Sequence, residues 1–194
     1  MFIELTDHLR CPRDHAEAYL VLLPDEVVNR GVRSGQLGCP VCGATYPVSD
    51  GVALLDGVPA APEQELPSAD AIHAFLGLTG PGGYVVLVGA AAAGWRELAA
   101  LDPGVALVGL NPPAAVRDEP PVLSVIRAAR VPLKTRSMRG VVLGDPAGSD
   151  PDWAREAARV VLPGLRVTGS GTPPDIPELE LLGSAGGWWV AARR

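Results

Sequence analysis

From Asp70 onward, short valine- and leucine-rich runs alternate with stretches of helical periodicity, and this alternation constrains the fold more than any other feature. Strands are expected at Tyr84–Val88, Ala106–Leu110, Leu123–Ile126, Gly140–Leu143 and Leu165–Thr168. Helices are expected at Ala69–Leu78, Gly94–Leu101 and Asp152–Val161. Helical connections between strands favour a mainly parallel α/β sheet, because antiparallel neighbours need only a short turn. The chain closes on an expected hairpin of Leu179–Leu182 with Gly187–Ala192. Hydrophobic residues make up 47% of the sequence, which is enough to fill a core and excludes a disordered chain.

The first 56 residues differ in kind. They hold all three cysteines, Cys11, Cys39 and Cys42, and are followed by the Pro/Ala/Glu-rich stretch GVPAAPEQELPSA. The expected organisation is therefore a small β module over 1–56, a linker over 57–69 and the α/β unit over 70–194. A helix near Ile3–Leu9, a strand pair at Tyr19–Leu23 and Gly35–Gly38, and two short strands after Gly43 are expected in the module. Three cysteines cannot form a closed disulfide framework, so the pattern points to metal. CPVCG places two thiols three residues apart on a tight turn, with Gly43 letting backbone amides face sulfur. CPRDH adds Cys11, with Asp14 at the position of a second cysteine and His15 beside it. Zinc takes thiolate, imidazole and carboxylate, so the expected ligands are Cys11, Asp14, Cys39 and Cys42, with His15 as the alternative to Asp14. A module held without metal by its strands, Tyr46 and Leu54 is the other reading.

The net charge of −6 argues against general affinity for nucleic acid or a membrane surface. No run approaches the ~20 apolar residues of a membrane span, and the first ten residues lack an apolar leader core, so the expected location is the cytoplasm. Within this acidic chain Arg127, Arg130, Lys134, Arg136 and Arg139 form a basic cluster. It is read either as an anion or partner contact, or as a solvated loop paired with Asp145, Asp150 and Asp152. His73 on a helix reads as structural or exposed, and His8 as a surface residue. Of Trp188 and Trp189 on the last strand, one ring is expected inward and one outward, the outward one available to a partner.

The stretch LTDHLRCPRD…LGCPVCGATYPVSDGVALL resembles the small zinc-ribbon proteins that activate tRNA, rRNA and release-factor methyltransferases. The resemblance covers about residues 3–56, and Tyr46–Val52 is its most specific part. It implies a ribbon fold, a zinc site and a protein partner, either a methyltransferase or a second copy, met through a sheet edge and an apolar patch. It implies no chemistry of the ribbon's own.

Residues 70–194 resemble class I S-adenosylmethionine-dependent methyltransferases. YVVLVGAAAAG stands where such enzymes carry a strand, an acid and a glycine-rich loop, VALVGLNPP stands at the second strand, and AREAARVVLPGLRV matches a later helix–strand unit. The implied fold is a Rossmann-like doubly wound sheet, and the implied cofactor-binding positions are Gly89, Gly94 and Asn111. The acids that normally face the cationic cofactor are replaced. Leu87 stands for the first, Asn111 for the ribose acid, Arg127 for the acid near adenine and Arg139 for the acid opening the fourth strand. A charge-assisted hydrogen bond is worth ~1.5–3 kcal/mol, so two losses weaken binding about 100-fold or more. The expected function is therefore a non-catalytic scaffold or regulatory partner with a degenerate cofactor pocket and no catalytic residues. The alternatives are an active methyltransferase with an atypical loop, and an anion- or RNA-binding module.

Overall fold

The computed structural model describes residues 1–194. Its strands are β1 (Val21–Val28), β2 (Gly31–Gly38), β3 (Thr45–Ser49), β4 (Val52–Leu54), β5 (Tyr84–Val88), β6 (Ala106–Leu110), β7 (Leu123–Arg127), β8 (Met138–Leu143), β9 (Val161–Ser170), β10 (Leu179–Ala185) and β11 (Trp188–Arg193). The α-helices are α1 (Ala69–Leu76), α2 (Trp95–Leu101) and α3 (Pro151–Val160). All eleven strands join one sheet in the order β1-β2-β3-β4-β7-β6-β5-β8-β9-β11-β10. Strands β4 to β9 of that row run parallel where β4 meets β7, β7 meets β6, β6 meets β5, β5 meets β8 and β8 meets β9. The two ends of the row are antiparallel.

The central parallel strands β5–β8 are buried on both faces, and alternate residues point to different cores. Val86, Val88, Val108, Leu110 and Val141 belong to one cluster, and Val85, Leu87, Leu107 and Val142 to the other. Each fully buried valine or leucine is worth roughly 1.5–3 kcal/mol of transfer free energy. Helices α1 and α2 cover the second cluster through Ile72, Leu76, Trp95 and Leu98, and α3 covers the first through three alanines. Helices α1 and α3 are bounded by local caps. Ser68 accepts the Ala71 amide ahead of α1, Asp150 accepts the Asp152 amide ahead of α3, and Gly77 ends α1 in the left-handed conformation.

No helix connects β6 to β7 or β7 to β8, so part of the first face lacks the cover a doubly wound sheet normally has. The amino-terminal module fills that gap. A short 3-10 helix, Ile3–His8, brings Leu5 and Leu9 onto the face beside Val131 and Leu133. Backbone bonds stitch it down, from Arg10 to Pro132 at 3.0 Å and from Lys134 to His8 at 2.8 Å. β4 then pairs in parallel with β7, Val52 opposite Val125 and Leu54 opposite Arg127. Strands β1–β4 thus extend the edge of the α/β sheet. The Asp50-Gly51 turn between β3 and β4 has φ of +49° and +80°, the two-residue hairpin geometry that suits the sheet twist. A Cβ at Gly51 would lie 2.3 Å from Asp118, so that position tolerates no side chain.

A polar seam locks the module to α3. Glu17 accepts the Thr135 amide at 3.3 Å and hydroxyl at 3.1 Å, and lies 3.6 Å from Arg10 and 3.9 Å from Arg159. Desolvation would raise the Glu17 carboxyl, but the Thr135 bonds and the two guanidiniums outweigh it and hold the carboxyl below its ordinary 4.5. A depressed carboxyl stabilises the fold above its unfolded value and loses that contribution as pH falls through the folded one. Glu17→Gln is therefore expected to cost at most ~1 kcal/mol at pH 7, because the side chain is a third exposed. The gap should close below pH 4.5 in thermal unfolding, and an undiminished gap at pH 3.5 would refute the assignment.

Several elements differ from expectation. β9 starts at Val161, directly after α3, because Val161 pairs with Met138 across a register shift in β8–β9. The expected strand Tyr19–Leu23 is displaced to β1, Val21–Val28. Both Trp188 and Trp189 are buried, at 8% and 1% exposure, one in each core, so neither is the outward ring expected. The sheet is covered on both faces there, and alternation along the strand sends each ring into a different layer. His8 is not a free surface residue either; it packs edge-on against Tyr84 at 5.0 Å.

Candidate functional sites

The first site is the cysteine module. Cys11, His15, Cys39 and Cys42 bring their ligand atoms within 4.8 Å of one another. The Cys11 and Cys42 sulfurs are 3.8 Å apart, and Cys39 Sγ is 3.5 Å from His15 Nε2. Metal–ligand distances of about 2.3 Å to sulfur and about 2.0 Å to nitrogen put tetrahedral ligand pairs roughly 3.5–3.8 Å apart. The donor set thus fits a four-coordinate zinc. His15 Nδ1 lies 2.6 Å from the Ala16 carbonyl. With that nitrogen donating, Nε2 carries the free lone pair toward the sulfurs. Asp14, the carboxylate named first from sequence, is absent from the cluster. Its carboxylate is 88% exposed and accepts Arg130 at 2.9 Å.

The knuckle prepares Cys39 as a thiolate. Gly43, at φ +68°, donates its amide to the Cys39 carbonyl at 3.0 Å and closes the turn. Desolvation raises the Cys39 thiol, but the amides of Cys42 and Val41, then the Cys42 and Cys11 thiols, lower it to about 6. The Cys11 sulfur lies 3.4 Å from the Tyr46 hydroxyl. Burial, then that contact, raises the Tyr46 phenol well above its ordinary value.

The second site is the crevice at the carboxyl ends of the parallel strands. Connections leave β5 in one direction to β6 and β7, and β8 and β9 lie on its other side, so the switch point falls between β5 and β8. Open α/β sheets bind ligands there. In this chain the linker and the two residues before it lie across that end. Leu55 and Asp56 donate to the Arg127 carbonyl at 2.8 and 3.3 Å, Ala61 donates to the Asn111 carbonyl at 3.4 Å and bridges Pro113, and Leu66 packs against the second core. A Cβ on Gly89 would sit 3.8 Å from the Ala61 methyl.

The positions the resemblance assigns to a cofactor are engaged internally. Gly89 keeps a left-handed φ of +64°, and Gly89–Gly94 forms a 3-10 helix with Ala90, Ala91 and Ala92 buried. Ala92 packs 3.6 Å from where a Gly109 side chain would begin. Asn111 is 7% exposed and both ends of its amide are used. Nδ2 donates to the Ala128 carbonyl at 2.7 Å, and Oδ1 accepts the Ala128 amide at 2.9 Å. Leu87 is fully buried in the second core. Gly94 precedes α2 with no side-chain cap.

The basic residues do not form one patch. Arg127 donates to the Pro112 carbonyl at 2.6 Å, and Arg139 to the carbonyls of Thr79, Gly80 and Gly82 at 2.7–2.8 Å. Lys134 lies over the Tyr19 ring, and Arg136 is exposed. The expected pairing with Asp145, Asp150 and Asp152 does not form, since Asp152 pairs with Arg155 and Arg130 with Asp14. His73 Nδ1 donates at 2.9 Å to the carboxylate of buried Asp102, a tie between α1 and the end of α2 that sequence reading missed because the partners lie 29 residues apart.

Neither a protein-family model nor a curated protein matches the sequence. Solved structures similar in chain path are methyltransferases for the most part. One chain of a complex between the Haloferax volcanii Trm112 methyltransferase activator and a protein described as a methyltransferase is 21% identical, with a TM-score of 0.42 over 53% of this chain and 51% of that one. Geranyl diphosphate C-methyltransferase from Streptomyces coelicolor, in complex with S-adenosyl-L-homocysteine, is 17% identical, with a TM-score of 0.43 over 52% of this chain and 41% of that one. The antibiotic-resistance methyltransferase Kmr is 13% identical, with a TM-score of 0.45 over 70% of this chain and 97% of that one. The matched part spans about half or less of the first two neighbours. The fold is a mixed α/β sheet with methyltransferase neighbours.

Proposed function

We propose that this chain is a non-catalytic partner protein: a zinc-holding ribbon joined edge to edge with a methyltransferase-type sheet whose cofactor crevice its own linker closes. The observation that carries this reading is the linker across the switch point, with Ala61 on Gly89 and hydrogen-bonded to Asn111. The engaged Asn111 amide and the buried Leu87 support it, since neither is free to meet a cationic ligand. Cys11, His15, Cys39 and Cys42 would hold the zinc, which here shapes the ribbon and supplies no reaction. One edge of the ribbon, β4, is occupied by β7 of the same chain. Partner contact in this reading falls to the free outer strands β1 and β10, where Val21, Leu23, Leu181 and Leu182 are more than half exposed.

A second reading, a methyltransferase that loads S-adenosylmethionine once the linker lifts, is favoured by one observation. The crossing at the crevice rests on a single 3.4 Å backbone bond and a contact between small groups, while Gly89 retains the conformation a cofactor loop uses. Calorimetry with S-adenosylmethionine and S-adenosylhomocysteine separates the two. No heat from either up to millimolar ligand is expected, and micromolar binding of either would replace the first reading with the second.

A further inference from the structure

A cavity of about 890 Å3 opens where the ribbon meets the carboxyl end of β7, away from the switch point. Three guanidiniums line it, and they come from both halves of the chain: Arg13 from the ribbon loop, Arg127 from the end of β7 and Arg130 just beyond. Their charges are poorly balanced. Arg130 pairs with the exposed Asp14, while Arg13 and Arg127 lie within 4 Å of no carboxylate. The remaining acid of the lining, Asp56, instead accepts the Ala129 amide at 3.1 Å. Arg127 is half-buried with one carbonyl partner, at Pro112. Burial, then the charge of Arg117, disfavours its ionised form, so an anion arriving beside it relieves a cost already present. The same lining also carries the apolar Pro47, Leu54 and Val58.

We propose that this cavity binds a phosphorylated small organic molecule, with Arg13, Arg127 and Arg130 on the phosphate and Pro47, Leu54 and Val58 against its body. Three guanidiniums against the carboxylates of Asp14 and Asp56 leave the lining net positive, and a phosphate monoester offers three charged acceptor oxygens to guanidinium donors where a carboxylate offers two. The volume lies within the roughly 300–1,000 Å3 of small-molecule pockets, so the anion has room for an organic group. Because the ribbon and the sheet each contribute arginine, occupancy would tie the two halves together. The proposal does not depend on whether the crevice takes a cofactor.

The test is calorimetry on the full chain at fixed ionic strength, with adenosine monophosphate, adenosine and inorganic phosphate as probes. Adenosine monophosphate is expected to bind at least 10-fold more tightly than either of the others. Exposed Arg13→Ala, which leaves the fold undisturbed, should weaken it about 10-fold, and Arg127→Gln by at least as much. Asp14→Ala, which frees Arg130, should hold or improve affinity. Adenosine monophosphate binding no tighter than adenosine or phosphate, or binding unchanged in Arg13→Ala, would overturn the proposal. S-adenosylmethionine binding that leaves these affinities intact would bear on the crevice alone.

Discussion

Cys39→Ser is expected to strip the chain of zinc. Elemental analysis of the unsubstituted protein should return about one zinc per chain, and the variant a small fraction of that. The reason lies in the donor set, because Cys39 is buried at 3% exposure and sits opposite His15, and serine offers neither a soft ligand nor an accessible anion. A thiol lowered to about 6 is largely ionised at pH 7, so Cys39 itself gives up little proton when metal loads. Structural zinc is worth about 10–16 kcal/mol in isolated finger peptides. Here the thermal cost should be smaller, because β2, β3 and the shared core hold the ribbon independently of the metal. The two candidate fourth ligands separate in the same experiment. His15→Ala should lower zinc content, and Asp14→Ala should leave it unchanged. Full zinc in Cys39→Ser, or loss in Asp14→Ala, would sink the assignment.

Asn111→Asp is expected to destabilise the fold by about 2–4 kcal/mol without creating cofactor affinity. The substitution restores the acid that the methyltransferase resemblance places there. In this structure the Asn111 amide is a clasp between the ends of β6 and β7, with Nδ2 donating to Ala128 and Oδ1 accepting from it. A carboxylate keeps the acceptor and turns the donor into an oxygen facing the Ala128 carbonyl, in a residue only 7% exposed. Denaturant unfolding measures the loss, and calorimetry with S-adenosylmethionine measures the absence of gain. An Asn111→Asp protein as stable as the parent that also binds the cofactor would show that the clasp is dispensable and the crevice open.

How far the fold could be read ahead of the structure depended on how local its causes were. β5 and β6 fall where the valine runs place them, and α1 and α3 differ from expectation by one or two residues at their ends, where caps decide. The Asp50-Gly51 hairpin and the Cys39–Gly43 knuckle are equally local, each needing a few backbone torsions and one glycine. The cysteines of the cluster were legible for the same reason. The fourth donor was not, because spacing cannot tell which of the adjacent Asp14 and His15 faces the sulfurs. The backbone turn there points one side chain inward and the other to Arg130, which is 116 residues away.

Sequence by itself determined the chemistry within reach of each short segment: which runs are strands, where turns need positive φ, and which thiols gather on one knuckle. Only the tertiary structure decided that the cysteine module joins the α/β sheet through β4 and β7, that Ala61 comes to lie beside Gly89, and that Arg13 meets Arg127 and Arg130 around one cavity. Those outcomes turn on which long-range surfaces remain uncovered after the local elements form. The face left bare by the missing crossover helices is filled by whichever apolar segment can reach it, and here that segment is the chain's own beginning.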